Sequence, residues 1–207
     1  MNLLYNLIKK FLFIILFIYF SSAQEAQINS KILVTCARCH GVDGNATITT
    51  ETPKLAGQNS QYLIRRLHYF RSLKSSSQKN QIMILFARDL SEQAIRAIAN
   101  YYASLPRRID IAQPDHINLA QKLYLGGQFT RGIPACAACH GPRGLGNPLA
   151  GFPRLSGQHA DYHYTQLQAF HSNKKRIDDK NAMMQEVTAK LTDLEMAALA
   201  NYISGLY

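Results

Sequence analysis

A five-residue pattern, Cys-x-x-Cys-His, occurs twice in this chain, one hundred positions apart. The copies are Cys36-Ala37-Arg38-Cys39-His40 and Cys136-Ala137-Ala138-Cys139-His140, and they use all four cysteines of the 207 residues. Cysteines three apart stand on one face of a helical turn, with an imidazole directly behind them. Whatever the pattern binds, the chain binds twice. The fold therefore has to deliver two thiols and one imidazole to each of two places.

The repetition extends well beyond the pattern. Gly41 and Gly44 answer Gly141 and Gly144, and Pro53-Lys54-Leu55-Ala56-Gly57-Gln58 answers Pro153-Arg154-Leu155-Ser156-Gly157-Gln158. Tyr62, Leu67, Phe70 and Ser72 answer Tyr162, Leu167, Phe170 and Ser172. After one inserted residue, Leu90-Ser91 answers Leu191-Thr192, and Ala99-Asn100-Tyr101 answers Ala200-Asn201-Tyr202. The chain thus reads as two tandem domains, residues 24–105 and 115–207, joined by a polar linker over 106–114 that Pro106 and Pro114 bound. Domains this small have little core of their own. A flat apolar cofactor inside each would supply surface to pack on.

The spacing of apolar residues predicts an all-α fold. A short helix is expected over 28–37, leading into the first pattern. Another is expected over 115–125, with Ile117, Ala120, Leu123 and Tyr124 on one face and Gly126-Gly127 as its stop. Residues 60–72 and 160–172 repeat a second helix. Residues 91–105 and 192–206 form the last helix of each domain, with Ser91 and Thr192 as N-caps and Glu195 completing a capping box. No stretch sustains a period of two, so almost no sheet is expected.

Chemically, C-x-x-C-H is the attachment pattern of c-type haem. The thiols of Cys36 and Cys39, and of Cys136 and Cys139, can each add to the two vinyl groups of one porphyrin. His40 and His140 then reach the irons as proximal ligands. A thioredoxin-like dithiol would sit in a βαβ pattern, which neither copy has. A zinc ion held by all four cysteines leaves the histidines unexplained, and two structural disulfides are the remaining alternative.

Each iron needs a second axial ligand or an open position. Met83 lies seven residues before Leu90 and Met184 seven before Leu191, 43 and 44 residues after their histidines. Both are expected in a loop ahead of the last helix, from which a thioether can close the distal side and raise the reduction potential. Met183 aligns with Ile82, which cannot ligate, and reads as packing. His68, His116, His159, His163 and His171 have no histidine at the matched place and read as surface or helix-face residues. Irons ligated on both sides suit outer-sphere electron transfer rather than substrate chemistry.

Residues 1–23 carry Lys9 and Lys10, ten unbroken apolar residues over 11–20, and Ser21-Ser22-Ala23. This is the pattern of a secretory signal peptide cleaved after Ala23, and an apolar run too short to span a bilayer at roughly 20 residues per span. An uncleaved anchor is the alternative. Export places the protein in the periplasm. Cleavage would leave 21 basic and 13 acidic residues, a net charge of +8 against +10 for the whole chain. Such a balance steers toward an acidic redox partner or an anionic membrane surface. No basic cluster with interleaved aromatics suggests nucleic acid.

The doubled C-x-x-C-H, the repeated P-x-L-x-G-Q segment, the matched methionines and the run Ile133-Pro134-Ala135-Cys136-Ala137-Ala138-Cys139-His140-Gly141-Pro142 together resemble the dihaem cytochromes c4 over essentially the whole mature chain. The resemblance implies two class I cytochrome c folds, two covalent haem c groups, and the axial pairs His40 with Met83 and His140 with Met184. It implies that the carbonyls of Pro53 and Pro153 hold the ring N–H of His40 and His140. It implies a periplasmic carrier between a cytochrome bc complex and a terminal oxidase. The competing functions are a haem subunit of a larger sulfide- or thiosulfate-type dehydrogenase and a dihaem peroxidase. One departure is the Thr-rich loop over 46–52, where the second domain has Gly146-Asn147-Pro148-Leu149-Ala150-Gly151, which implies unequal cover and unequal potentials at the two haems.

Overall fold

Among the residues described in the structure, a computed structural model, every regular element is helical. Those residues are 30–45, 49–73, 81–172 and 179–207. The leader expected over 1–23, the start of the helix expected over 28–37, and residues 46–48 of the Thr-rich loop lie outside them. The first half contains α1 (Ser30–His40), α2 (Ser60–Ser72), α3 (Gln81–Arg88) and α4 (Glu92–Ser104). The second contains α5 (Ile117–Gly126), a single 3-10 turn (Phe129–Arg131), α6 (Ala137–His140), α7 (Ala160–His171), α8 (Asp179–Thr188) and α9 (Asp193–Ser204). Two isolated bridges, Gln128 with Ile133 and Asn147 with Phe152, are the β-type pairings among the described residues.

The last helix of each half carries its core. In α4 the buried residues are Ile95, Ile98, Ala99 and Tyr102; in α9 they include Met196, Leu199, Ala200 and Ile203. Both sets follow the i, i+3, i+4, i+7 spacing of a one-sided helix. α4 packs on α2, which also meets α3; α9 packs on α7 and α5. The caps fix where these helices begin. Ser91 Oγ accepts from Ala94 N at 3.1 Å. Thr192 Oγ1 accepts from Glu195 N at 3.2 Å, and Glu195 Oε2 accepts from Thr192 N at 2.8 Å, closing the capping box. Arg131 then clamps the same carboxylate with its Nη1 and Nη2, at 2.6 and 3.0 Å. That contact holds the Glu195 carboxyl below the usual range.

The halves differ ahead of the cysteine pattern. In the first, α1 runs through the pattern to His40 rather than stopping near Ala37, because no glycine or proline interrupts 30–40. In the second, α5 ends at Gly126 and the pattern receives its own short helix, α6. The turn between them depends on Gly127, whose φ is +65° and where a Cβ would stand 2.4 Å from the Ile133 carbonyl oxygen. The placement of the methionines also departs from expectation. Met83 lies within α3 and Met184 within α8, not in loops. Residues 81–88 hold neither proline nor glycine and bury Ile84 and Ala87 on one side, so nothing keeps that stretch from winding.

Loops and helices both join the halves, as where Arg65 on α2 donates to the Gly151 carbonyl at 2.8 Å. Residues 106–114 carry no regular element but are tied down. Asn45 Nδ2 donates to the Pro106 carbonyl at 2.7 Å, and Arg107 Nε donates to the Ala56 carbonyl at 2.6 Å while its Nη1 reaches Ser156 O at 3.3 Å. The Lys54 ammonium is buried. It donates to Asp110 Oδ1 at 2.5 Å, to Gly157 O at 2.9 Å and to Arg108 O at 3.0 Å, so its three protons and its charge are all answered.

Gly44 lets the first half close on itself. Its φ is +68°, and a Cβ there would stand 2.9 Å from Tyr102 Cδ1 and 3.0 Å from Ala56 N. Gly44→Ala should cost about 2 kcal/mol or more, from the left-handed backbone and the crowding together. Thermal unfolding followed by circular dichroism should report a lower midpoint for this variant, and an unchanged midpoint would rule out the close approach.

Candidate haem sites

Each C-x-x-C-H pattern ends a helix at its histidine. Gly41 N returns to Ala37 O and Gly141 N to Ala137 O, both at 2.9 Å, and the chain turns away immediately after the ring. The turn comes back in the same way in both halves. Gly44 O accepts from Leu55 N at 2.8 Å and Ala56 N at 3.2 Å; Gly144 O accepts from Leu155 N at 2.7 Å and Ser156 N at 3.0 Å. This return brings a proline carbonyl to each imidazole. His40 Nδ1–H donates to Pro53 O at 2.8 Å and His140 Nδ1–H to Pro153 O at 3.0 Å.

These bonds decide the tautomer. A carbonyl oxygen only accepts, so the proton sits on Nδ1 and the lone pair on Nε2. Both rings are buried. Burial pulls their pKa values down, and the proline bond opposes it. A buried, oriented, neutral imidazole with its Nε2 lone pair available is the donor that a haem iron takes from histidine.

The thiols fit the same group. All four cysteines are free, and burial pushes the Cys36 thiol up and that of Cys136 to about 11. Among the described residues no three His, Cys, Asp or Glu side chains gather where an ion could be held. The four cysteines therefore do not gather into one zinc site among the described residues. Two thiols on a helical turn beside an imidazole remain, twice, as covalent haem attachment requires.

Met83 and Met184 occupy matched helices, α3 against α2 and α8 against α7, and both are half-buried. Met183, expected as a packing residue, is instead about half exposed, as is Ile82 at the matched place. Of the remaining histidines, His163 is buried rather than superficial. Its Nε2 donates to Leu155 O at 2.9 Å, and burial pushes its pKa down to about 4. His159 meets Asp110 at 3.0 Å, His171 meets Thr188 O at 2.7 Å, and His68 meets Glu92 at 3.3 Å.

Sequence reasoning passed over Gln58 and Gln158. Both are buried polar side chains, and each hydrogen-bonds the backbone of the other half. Their recurrence at the end of both P-x-L-x-G-Q segments was the available signal.

The cytochrome c family matches this chain twice, at residues 29–106 and 121–206. Cytochrome c4 of Pseudomonas aeruginosa is 36% identical over 186 residues, covering 90% of each chain. The thiosulfate dehydrogenase electron acceptor of Stutzerimonas stutzeri is 34% identical, over 84% of this chain and 79% of that protein. The crystal structure of reduced cytochrome c4 from Pseudomonas stutzeri superposes with a TM-score of 0.78 at 35% identity, covering 88% of this chain and all of that one. With two imidazoles held alike, two free thiol pairs and the family matched in both halves, the chain belongs to the cytochrome c family as a cytochrome c4, an electron carrier holding two covalent haem c groups.

Proposed function

We propose that the protein is a periplasmic carrier that takes single electrons from a cytochrome bc-type complex and passes them toward a terminal oxidase. The haems are attached through Cys36 and Cys39, and through Cys136 and Cys139. Their axial pairs are His40 with Met83 and His140 with Met184. The observation that carries this reading is the doubled Nδ1–proline bond, which prepares both imidazoles in one tautomer. Each bound haem supplies a one-electron couple; the chain orients the imidazole, shields it from water and offers a thioether from α3 or α8. With both positions filled, no site is left for a substrate.

The basic pair, the apolar run and the small residues over 1–23, the pattern of a signal peptide cleaved after Ala23, support the periplasmic location. Among the described residues no helix is long and apolar enough to cross a membrane. Residues 24–105 and 115–207 are the two domains and 106–114 the linker. The basic excess favours an acidic partner or peripheral contact with an anionic membrane surface. A second reading is favoured by one observation: relatives at 34% identity are named as electron acceptors of thiosulfate dehydrogenase. In that reading the electron donor is a sulfur-compound dehydrogenase, and the chain would co-purify with it.

Oxidised protein should show the methionine–iron charge-transfer band of two haems; high-spin signals instead would favour a peroxidase. Met83→Ala and Met184→Ala should each remove the band of one haem, leave a high-spin or water-ligated iron, and lower that potential. An unchanged spectrum in Met184→Ala would move the ligand to Met183. Cys136→Ala should leave the second haem held by a single thioether or unassembled. Recovery of a doubly attached second haem in that variant would overturn the attachment assignment. Reduction by an acidic donor should slow as ionic strength rises, and a salt-independent rate would argue against electrostatic steering.

A further inference from the structure

Pro53 C=O and Lys54 N–H belong to one peptide unit, as do Pro153 C=O and Arg154 N–H. The carbonyl of each unit receives the histidine of its own half. The N–H of each unit is taken by the glutamine of the opposite half. Lys54 N donates to Gln158 Oε1 at 2.8 Å, and Arg154 N donates to Gln58 Oε1 at 2.8 Å. The same glutamines close the pairing from the other side: Gln158 Nε2 donates to Lys54 O at 2.9 Å and Gln58 Nε2 to Arg154 O at 2.8 Å.

The amide orientation is fixed chemically. Gln158 Oε1 also accepts from His159 N at 3.1 Å, and Gln58 Oε1 from Asn59 N at 2.8 Å. Each Oε1 thus faces two N–H donors and each Nε2 faces a carbonyl, so a flipped amide would oppose like groups at every contact. Both side chains are buried, so water does not compete for these bonds.

Hydrogen bonds in series polarise one another, by about 10–30% per bond. An acceptor on the peptide N–H makes the proline carbonyl a better acceptor for Nδ1–H. A stronger Nδ1–H bond gives the imidazole more anionic character, and a more basic ligand favours the oxidised iron. We propose that Gln58 and Gln158 are positioning residues through which each half lowers the reduction potential of the haem in the other half. This rests on His40 and His140 being the proximal ligands. It makes docking of the halves part of the redox tuning, and it assigns the effect crosswise. Gln158 acts on the haem at Cys36 and Cys39, and Gln58 on the haem at Cys136 and Cys139.

The test is a spectroelectrochemical titration of the full-length, haem-loaded protein, with the paramagnetically shifted imidazole N–H resonances assigning each potential to its haem. Gln158→Met should raise the first haem's potential, changing its oxidised-to-reduced ratio by up to about threefold, or about 30 mV at 59 mV per decade for one electron. It should move the second haem less. Gln58→Met should do the reverse. Gln158→Glu keeps an oxygen on Lys54 N–H and makes it a stronger acceptor, so it should lower the first haem's potential. The opposed signs separate tuning from loosened docking, which would move both variants the same way. Shifts confined to the mutated half, shifts of one sign in both variants, or no shift would overturn the proposal. A wild-type protein without two low-spin, histidine-ligated haems would instead overturn the functional reading.

Discussion

The hydrogen bond from a buried histidine to a proline carbonyl thirteen residues on is the contact around which each half is arranged. It selects the tautomer, so it selects the nitrogen that faces a metal. Keeping the carbonyl in place takes the rest of the loop. A glycine carbonyl accepts two consecutive N–H groups of the returning strand, in both halves and with nearly the same lengths. A helix then backs each loop: Gly57 N reaches Tyr102 O of the last helix, α4, at 2.9 Å in the first half, and Tyr124 on α5, the first helix of the second half, donates to Gly141 O at 2.7 Å. The helices can be read as the frame that holds this loop against its imidazole.

Much of this was legible because it is local. The caps at Ser91 and Thr192, the one-sided apolar spacing of the last helices, and the helical character of the described residues all follow from residues within a few positions of one another. Duplication extended that reach, because a residue that recurs at a matched place has been sampled twice. What was not legible depends on contacts remote in sequence. The helical state of Met83 and Met184 reflects packing of α3 on α2 and α8 on α7, against which an expectation of a loop had only the neighbouring sequence to set. His163 looked like a helix-face residue because Leu63 stands at the matched place. That very match marks an interior position, and the ring is buried there with Leu155 O as partner. The glutamines were visible as a repeat but not as a bridge, since their partners lie 96 and 104 positions away.

The interface joins polar backbone and buried polar side chains to contacts made from helices, such as Arg65 on α2 with Gly151 O. Lys54, Gln58 and Gln158 are all buried, and no buried side-chain nitrogen or oxygen among the described residues lacks a hydrogen-bond partner. A fully satisfied network of this kind adds little net stability per bond but makes one arrangement strongly preferred over its neighbours, since any slip leaves buried groups unpaired. Directional bonds therefore fix the register of the two halves more tightly than an apolar contact would.

The halves also differ at that interface. At the first half's proline loop Lys54 is bound to Asp110, and Asp110 in turn to His159 of the second half. At the matched place Arg154 turns its Nε to Ser156 within its own half. Two imidazoles held in the same way are thereby set in different electrostatic surroundings. Matching histidine–proline bonds do not make the two sites equivalent; one sequence difference that separates them lies one residue beyond the proline that holds each histidine.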